Sequence, residues 1–228
     1  MNHVPYLDIH THRRDYLPDS VSVACLSHAE LSAGVTSGEF TTAGIHPWWV
    51  EDYPLEDIPF LKNKILNLLN EKRLWAIGET GIDRVYPEHL EVQRELFLWH
   101  MDLAHESGLP LIIHSVRAYS DILQLMKEHK PKTPWIFHDF RGNETVMKDL
   151  LRIHPKCYFS FGLSIDNSPQ IRQLLPLVPL EHLLLETDDQ KHLDIHDIYL
   201  RASEQLGIDV DFLKSQLWLN FKKLQVVL

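Results

Sequence analysis

The chain is short of cysteine, short of positive charge and without any long apolar run, and each shortage closes off a class of protein. Its 228 residues hold 2 cysteines, Cys25 and Cys157, both inside apolar runs. Two thiols cannot build a disulfide framework or a structural zinc knot, so they read as packed thiols in a reducing compartment. The 22 Lys and Arg against 32 Asp and Glu leave a formal net charge of −10, a sign that repels polyanions and excludes broad, sequence-independent coating of DNA. No uninterrupted apolar stretch approaches membrane-spanning length, and the opening MNHVPYLDIH has no basic segment followed by an apolar core. Low-complexity tracts are missing as well. The expectation is a cytoplasmic protein with no membrane partner, folded as a single domain over residues 1–228.

What the chain does have is a recurrence of short apolar runs: Val4–Leu7, Val21–Leu26, Thr42–Ile45, Trp75–Gly78, Leu111–Ile113, Trp135–Phe137, Tyr158–Phe161 and Leu183–Glu186. They are continuous rather than alternating, as buried parallel strands are. Helical spacing fills the later gaps: Ile58–Lys72, Glu88–Ser107 stopped by Gly108 and Pro110, Ala118–His129, a helix capped by Asn143, then Pro169–Leu177, Asp194–Leu206 and Asp209–Leu224. Strand alternating with helix, eight times over, predicts a closed (β/α)8 barrel. The first two connections are too short for full βαβ crossovers. The first quadrant is therefore expected to be shortened, with an apolar strip that a second subunit could cover in a homodimer.

In such a barrel every residue just after a strand faces one rim. His10 and His12 follow the first strand, two positions apart on extended chain and so on one side of it. His46 follows the third strand, Glu79 the fourth, His114 the fifth, His138 the sixth and Asp188 the eighth. Taken singly each has a plain structural role open to it: Glu79 a salt bridge to Arg84, His114 a core histidine, Asp188 a cap. Together, imidazoles and carboxylates at one mouth suit a divalent metal such as zinc, manganese or magnesium. Six candidate ligands (His10, His12, Glu79, His114, His138 and Asp188) exceed what one catalytic ion takes and suit two, with Glu79 bridging. Two divalent cations less two carboxylates and one hydroxide leave about one positive unit, which favours an anionic substrate. Arg84, Arg117 and Arg141, with Arg13 and Arg14, stand just past the same strand ends and could focus a phosphate there, with His46 as a further donor. The histidines His3, His28, His89, His100, His105, His129, His154 and His182 fall on helices or termini and are read as solvated. His192 and His196, four apart, are read as an exposed helix face.

These residues sit in motifs that can be quoted whole: DIHTH at Asp8–His12, GIHPWW at Gly44–Trp49, IGETGID at Ile77–Asp83, Gln93, LAHESGLPLIIHS at Leu103–Ser115, HDFRGN at His138–Asn143, YFSFG at Tyr158–Gly162, LLLETD at Leu183–Asp188, and Asn220. In that order, from Tyr6 to about Leu224, they resemble the TatD family of metal-dependent hydrolases among the amidohydrolase-like barrels. The resemblance implies a distorted TIM-type barrel, a two-metal site and phosphodiester hydrolysis, commonly deoxyribonuclease activity, with nucleic acid as substrate. By position it implies that His10, His12, Glu79 and Asp188 hold one metal and Glu79, His114 and His138 the other, with His46 toward the substrate. Three departures bear on the substrate: HSVR moves an arginine to Arg117, HDFRG introduces Asp139 and Arg141, and ETDDQ adds Asp189. The expected mechanism is attack by a metal-activated water, with Glu79 and Asp188 as the catalytic carboxylates and Asp188 relaying the proton. Hydrolysis of a non-phosphate ester or amide is the first alternative, and a non-catalytic barrel scaffold the second.

Overall fold

All eight apolar runs are strands, paired in chain order. The computed structural model describes residues 4–15, 17–34, 39–190 and 192–224. The strands are β1 (Tyr6–Thr11), β2 (Ser20–Cys25), β3 (Phe40–Ala43), β4 (Ala76–Asp83), β5 (Leu111–Val116), β6 (Trp135–Phe137), β7 (Cys157–Phe161) and β8 (Leu183–Leu185), each parallel to the next. The helices are α1 (His28–Ala33), α2 (Trp49–Asp52), α3 (Ile58–Asn70), α4 (Leu90–Ser107), α5 (Tyr119–His129), α6 (Glu144–Ile153), α7 (Ser164–Asn167), α8 (Pro169–Leu174), α9 (Ile195–Leu206) and α10 (Val210–Leu224). This is a nearly closed TIM-type (β/α)8 barrel. Caps fall where the sequence puts them: the Asn143 side chain accepts from the Val146 N–H, and the Asp194 side chain from that of His196.

The shortened first quadrant is real. Among the described residues no helix lies between β1 and β2, and α1 is only 6 residues long. A Ser27–Glu30 capping box and a left-handed Gly34 (φ 71°) bound that short helix. Arg14 clamps the bare connection to it with two bonds to the Glu30 carboxylate, 2.9 and 2.7 Å. Among the described residues of that quadrant, Leu17 and Phe40 are half-buried. Leu17 packs against the main core, and Phe40 joins an aromatic floor under the barrel. In that floor Trp75 and Trp218 stack on Phe221 at 5.1 and 5.4 Å while Phe40 meets it edge-on at 5.1 Å. The C-terminal helix α10 supplies Trp218 and Phe221 to that floor.

Leu7, Ile9, Val23, Ala76, Ile112, Ile136, Tyr158 and Leu184 fill the bore above this floor, and a larger apolar shell joins the strands to the helices. Each fully buried Leu, Ile or Phe contributes about 1.5–3 kcal/mol of transfer free energy. Closure between β8 and β1 is made differently from the other seven pairings. At Leu7 a phenol stands in for the missing strand: the Leu7 N–H donates to Tyr199 Oη at 3.1 Å and the Tyr199 hydroxyl donates to the Leu7 carbonyl at 3.1 Å. One step up, the buried Asp8 carboxylate accepts from the Thr187 N–H (3.0 Å) and hydroxyl (2.6 Å). At the rim the Asp188 N–H donates to the His10 carbonyl (2.9 Å) and the His12 N–H donates to the Asp188 carbonyl (3.0 Å).

Candidate metal centre

The strand ends deliver six side chains to one point. Both strands that carry the central groups break register beside them, β1 between Asp8 and Thr11 and β4 between Ile77 and Thr80. Such irregularities re-aim side chains at barrel rims. Gly81 keeps that approach open, because a Cβ there would lie 1.9 Å from the His114 carbonyl oxygen.

Glu79 is the hub, and its two oxygens face different partners. Oε2 lies 3.3 Å from His10 Nε2 and 3.5 Å from His12 Nε2, and the same nitrogens lie 3.6 and 3.7 Å from Asp188 Oδ1. Oε1 lies 2.6 Å from His138 Nε2, 2.9 Å from His114 Nδ1 and 3.0 Å from His46 Nε2. Three overlapping groups have the composition and closeness to hold a metal ion: His10, His12, Cys25 and Glu79; His10, His138 and Asp188; and His46, Glu79 and His114. His46 thus stands among potential ligands rather than only on the substrate side. His10 supplies the fit test. Its ring is fully buried, yet neither nitrogen has a hydrogen-bond partner. A buried imidazole left unpaired is costly, and a cation between it, Glu79 and Asp188 would satisfy Nε2.

In the bare protein these groups lean on one another. Burial opposes the charge of Glu79, but the imidazoles of His138, His46, His10 and His114 around it hold its carboxyl well below the usual range. Burial likewise opposes protonation of His10 and His138, yet the facing carboxylates raise both well above an ordinary imidazole. Asp188, although burial pushes it up, is held at about 2 by His10 and its neighbours. Burial keeps His46 on the low side. The cluster is therefore a set of charged carboxylates neutralised by protons, which a metal can displace.

Two further carboxylates, not singled out from the sequence, stand behind two of the histidines. Asp83 Oδ2 lies 3.1 Å from His114 Nε2 and accepts from Trp48 Nε1 at 2.7 Å. Asp83 is itself fixed by Gln93, whose Oε1 accepts the Asp83 N–H at 2.8 Å. The fully buried Glu186 has Oε1 3.5 Å from His138 Nδ1, accepts the Asp139 N–H at 2.7 Å, and is bonded by the Ser160 hydroxyl. Both carboxylates sit inside quoted motifs, Asp83 at the end of IGETGID and Glu186 within LLLETD, and that position was the available signal. Asn220, by contrast, serves the fold: its amide donates to the Leu180 and Leu183 carbonyls at 2.7 and 2.9 Å, below β8.

The arginines do not join the cluster. Arg84 is bidentate on Asp121 (2.7 Å to each oxygen), Arg141 pairs with Asp139 at 2.7 Å, and Arg117 stands exposed in a left-handed turn (φ 54°). Arg13 and Arg14 are taken by Asp15 and Glu30. Carboxylates at the rim capture Arg13, Arg14, Arg84 and Arg141 locally, and none of the five lines the cavity over the centre. That cavity, about 360 Å³, is walled instead by His28, Trp48, Trp49 and Tyr53, with Asp188 and Asp189 on its acidic side. His28 is stacked on Tyr53 with ring centres 3.6 Å apart.

Other outlying histidines also depart from the solvated reading. His100 is fully buried, accepting the Ile45 N–H on Nε2 (3.0 Å) and donating from Nδ1 to the Leu96 carbonyl (2.7 Å); burial pushes its pKa down to about 3. His154 is buried against the Thr133 carbonyl, and His182 donates to that of Cys157. His105, His129 and His192 are exposed, while His196 is half-buried between Tyr6 and Asp19. His192 precedes α9, so the expected pair on one helix face does not form. His3 lies outside the described residues.

The profile of the family described as TatD related DNase matches residues 18–224. The chain belongs to the TatD family. Among its relatives, the metal-dependent hydrolase TatD of Mycobacterium tuberculosis is 35% identical over 127 residues, covering 53% of this chain and 48% of that one. The metal-dependent hydrolase YcfH of Escherichia coli K12 is 32% identical over 150 residues, covering 64% and 54%. These alignments span about half the length of those relatives. Solved structures agree over the whole fold. YJJV, a TatD homolog from Escherichia coli, superposes with a TM-score of 0.79 at 20% identity, covering 96% of this chain and 97% of that one. A TatD-family hydrolase from Entamoeba histolytica gives 0.78 at 17%, covering 97% and 98%. At such identities the likeness is one of fold. Among the described residues no helix is long and apolar enough to cross a membrane.

Proposed function

We propose that the chain is a divalent-metal-dependent hydrolase of phosphodiester bonds, a TatD-type deoxyribonuclease working at a two-metal site. The observation that carries this reading is the division of Glu79: Oε2 toward His10 and His12, Oε1 toward His114, His138 and His46. His10, His12, Glu79 and Asp188 would hold one ion, and Glu79, His114 and His138 the other. Ions held there would supply an acidified water and polarisation of the phosphoryl oxygen. Asp188, 29% exposed and opening onto the cavity, would accept a proton from water there. His46 is 12% exposed on the cavity wall and donates to the charge that develops on the substrate. Asp83 fixes the tautomer of His114, leaving the nitrogen that faces Glu79 free to coordinate, and the Glu186 carboxylate faces the far side of His138 at 3.5 Å.

A second reading, hydrolysis of a non-phosphate ester or amide, gains from one feature. The cavity is aromatic and no arginine lines it, which suits a planar, weakly charged group as well as a phosphate. Chelated and metal-reloaded protein should be assayed on bis(p-nitrophenyl) phosphate, DNA oligonucleotides and p-nitrophenyl esters. Metal-dependent cleavage of the phosphodiesters ahead of the esters is expected. Ester turnover alone would move the assignment to the second reading, and a metal-loaded protein inert on every substrate would overturn both.

A further inference from the structure

Cys25 ends β2 at the level where the histidines gather, and its thiol lines the cavity beside His12, Glu79 and Asp188. Its Sγ, one ring nitrogen each of His10 and His12, and one Glu79 oxygen all lie within 4.8 Å of one another. The thiol is held only loosely: its acceptors, the carbonyls of Leu26 and Gly78, are both 4.0 Å away, and its other polar neighbours are the Thr42 side chain and the Glu79 backbone. The residue is only 2% exposed, so solvent does not satisfy it either. An independent observation points to the same spot, the fully buried His10 ring with both nitrogens unpartnered.

Two imidazoles, a carboxylate and a sulfur form a different donor set from the imidazole and carboxylate groups elsewhere in the centre. Sulfur draws borderline and soft ions such as zinc, cobalt(II) or iron(II), and discriminates against magnesium and manganese, which prefer oxygen. Ligand atoms around a tetrahedral zinc stand roughly 3.3–3.7 Å apart given bonds of about 2.0–2.3 Å. The widest pair here must therefore draw in by about an ångström.

We propose that Cys25 is a further, thiolate ligand of the ion that His10, His12, Glu79 and Asp188 would hold, and that it makes this position selective for zinc-like cations over magnesium and manganese. The inference rests on the metal-centre reading above. When the sulfur–metal bond forms, the thiol proton leaves to solvent, so loading releases an extra proton.

The test is cobalt(II) loading of the chelated protein, followed by absorption spectroscopy, in wild type and in Cys25→Ser, Cys25→Ala and Cys157→Ala. Visible d–d bands report a bound ion, and a near-ultraviolet sulfur-to-cobalt charge-transfer band reports the thiolate. Wild type and Cys157→Ala should show both features. Cys25→Ser and Cys25→Ala should keep the visible bands and lose the near-ultraviolet one. Zinc affinity should fall about tenfold or more in Cys25→Ala, with manganese affinity unchanged. Visible bands without the charge-transfer band in wild type, or a band that survives in Cys25→Ala, would overturn the role of Cys25 and leave the metal centre standing. No cobalt binding in wild type would overturn both. Because Cys25→Ser is nearly isosteric, its unchanged circular dichroism separates a lost ligand from a lost fold.

Discussion

The two sets of histidines that face Glu79 are supported in opposite ways. His114 and His138 each have a buried or nearly buried carboxylate behind the ring, Asp83 and Glu186, and each of those is anchored in turn by backbone or side-chain donors. His10 has neither nitrogen hydrogen-bonded, and His12 is 33% exposed. The difference follows the architecture. β5 and β6 are followed by the full helices α5 and α6, while, among the described residues, β1 leads into a connection without a helix. One side of the centre is preorganised by protein. The other must be organised by what it binds.

The largest effect expected breaks both sides together. Glu79→Ala removes the shared carboxylate, so turnover should fall at least about a thousandfold and both ions should weaken. Stopped assays and metal content after dialysis measure this; activity with a full metal complement would show that Glu79 does not bridge. Next comes a change aimed at one side only. Asp83→Asn leaves His114 in place but weakens its support, and should lower the affinity of one of two metal-binding steps by about 10–100-fold. Calorimetric titration should show the other step unmoved, and equal shifts in both would erase the distinction drawn here.

A smaller effect concerns the rigid wall beside His46. His100 accepts the Ile45 N–H on the nitrogen that would have to carry the second proton, and its pKa is pushed down to about 3 in the folded state. The unfolded chain takes up that proton near pH 6.5, so His100 makes stability fall as pH drops below 6.5, by about 1.4 kcal/mol per unit until the folded value is reached. Urea unfolding at pH 6.5 and 5 should show this slope in wild type relative to His100→Gln; parallel slopes would refute it. The smallest effect is expected at the rim. Arg84→Ala should change kcat/KM less than about threefold, because that guanidinium is already bidentate on Asp121 in solvent. A large, salt-sensitive rise in KM would restore it as a substrate contact.

Much of this was legible in the residues themselves. Strand-end position alone gathered His10, His12, Glu79, His114, His138 and Asp188, since the rim of a parallel barrel is fixed by strand polarity. Reading partners was harder. Asp121 and Asp139 take the arginines through rotamers and turns that spacing does not reveal. His100 looked solvated because it is polar, yet 97, 100, 101 and 104 form one helical stripe with Phe97, Met101 and Ala104, and that stripe is the inner face of α4. Cys25 was read as packed, and it is buried. What the sequence could not show is that its burial lies against the histidines.

The seam between the last strand and the first ends in a stitch that Asp188 makes with the backbone of His10 and His12. The chain's hoop is thus fastened by the same residues whose side chains gather at its mouth. Emptying the mouth should loosen the hoop: hydrogen exchange at the His12 and Asp188 amides should quicken on chelation while the β4–β5 ladder stays protected. In this barrel, binding an ion and staying shut are two readings of one clasp.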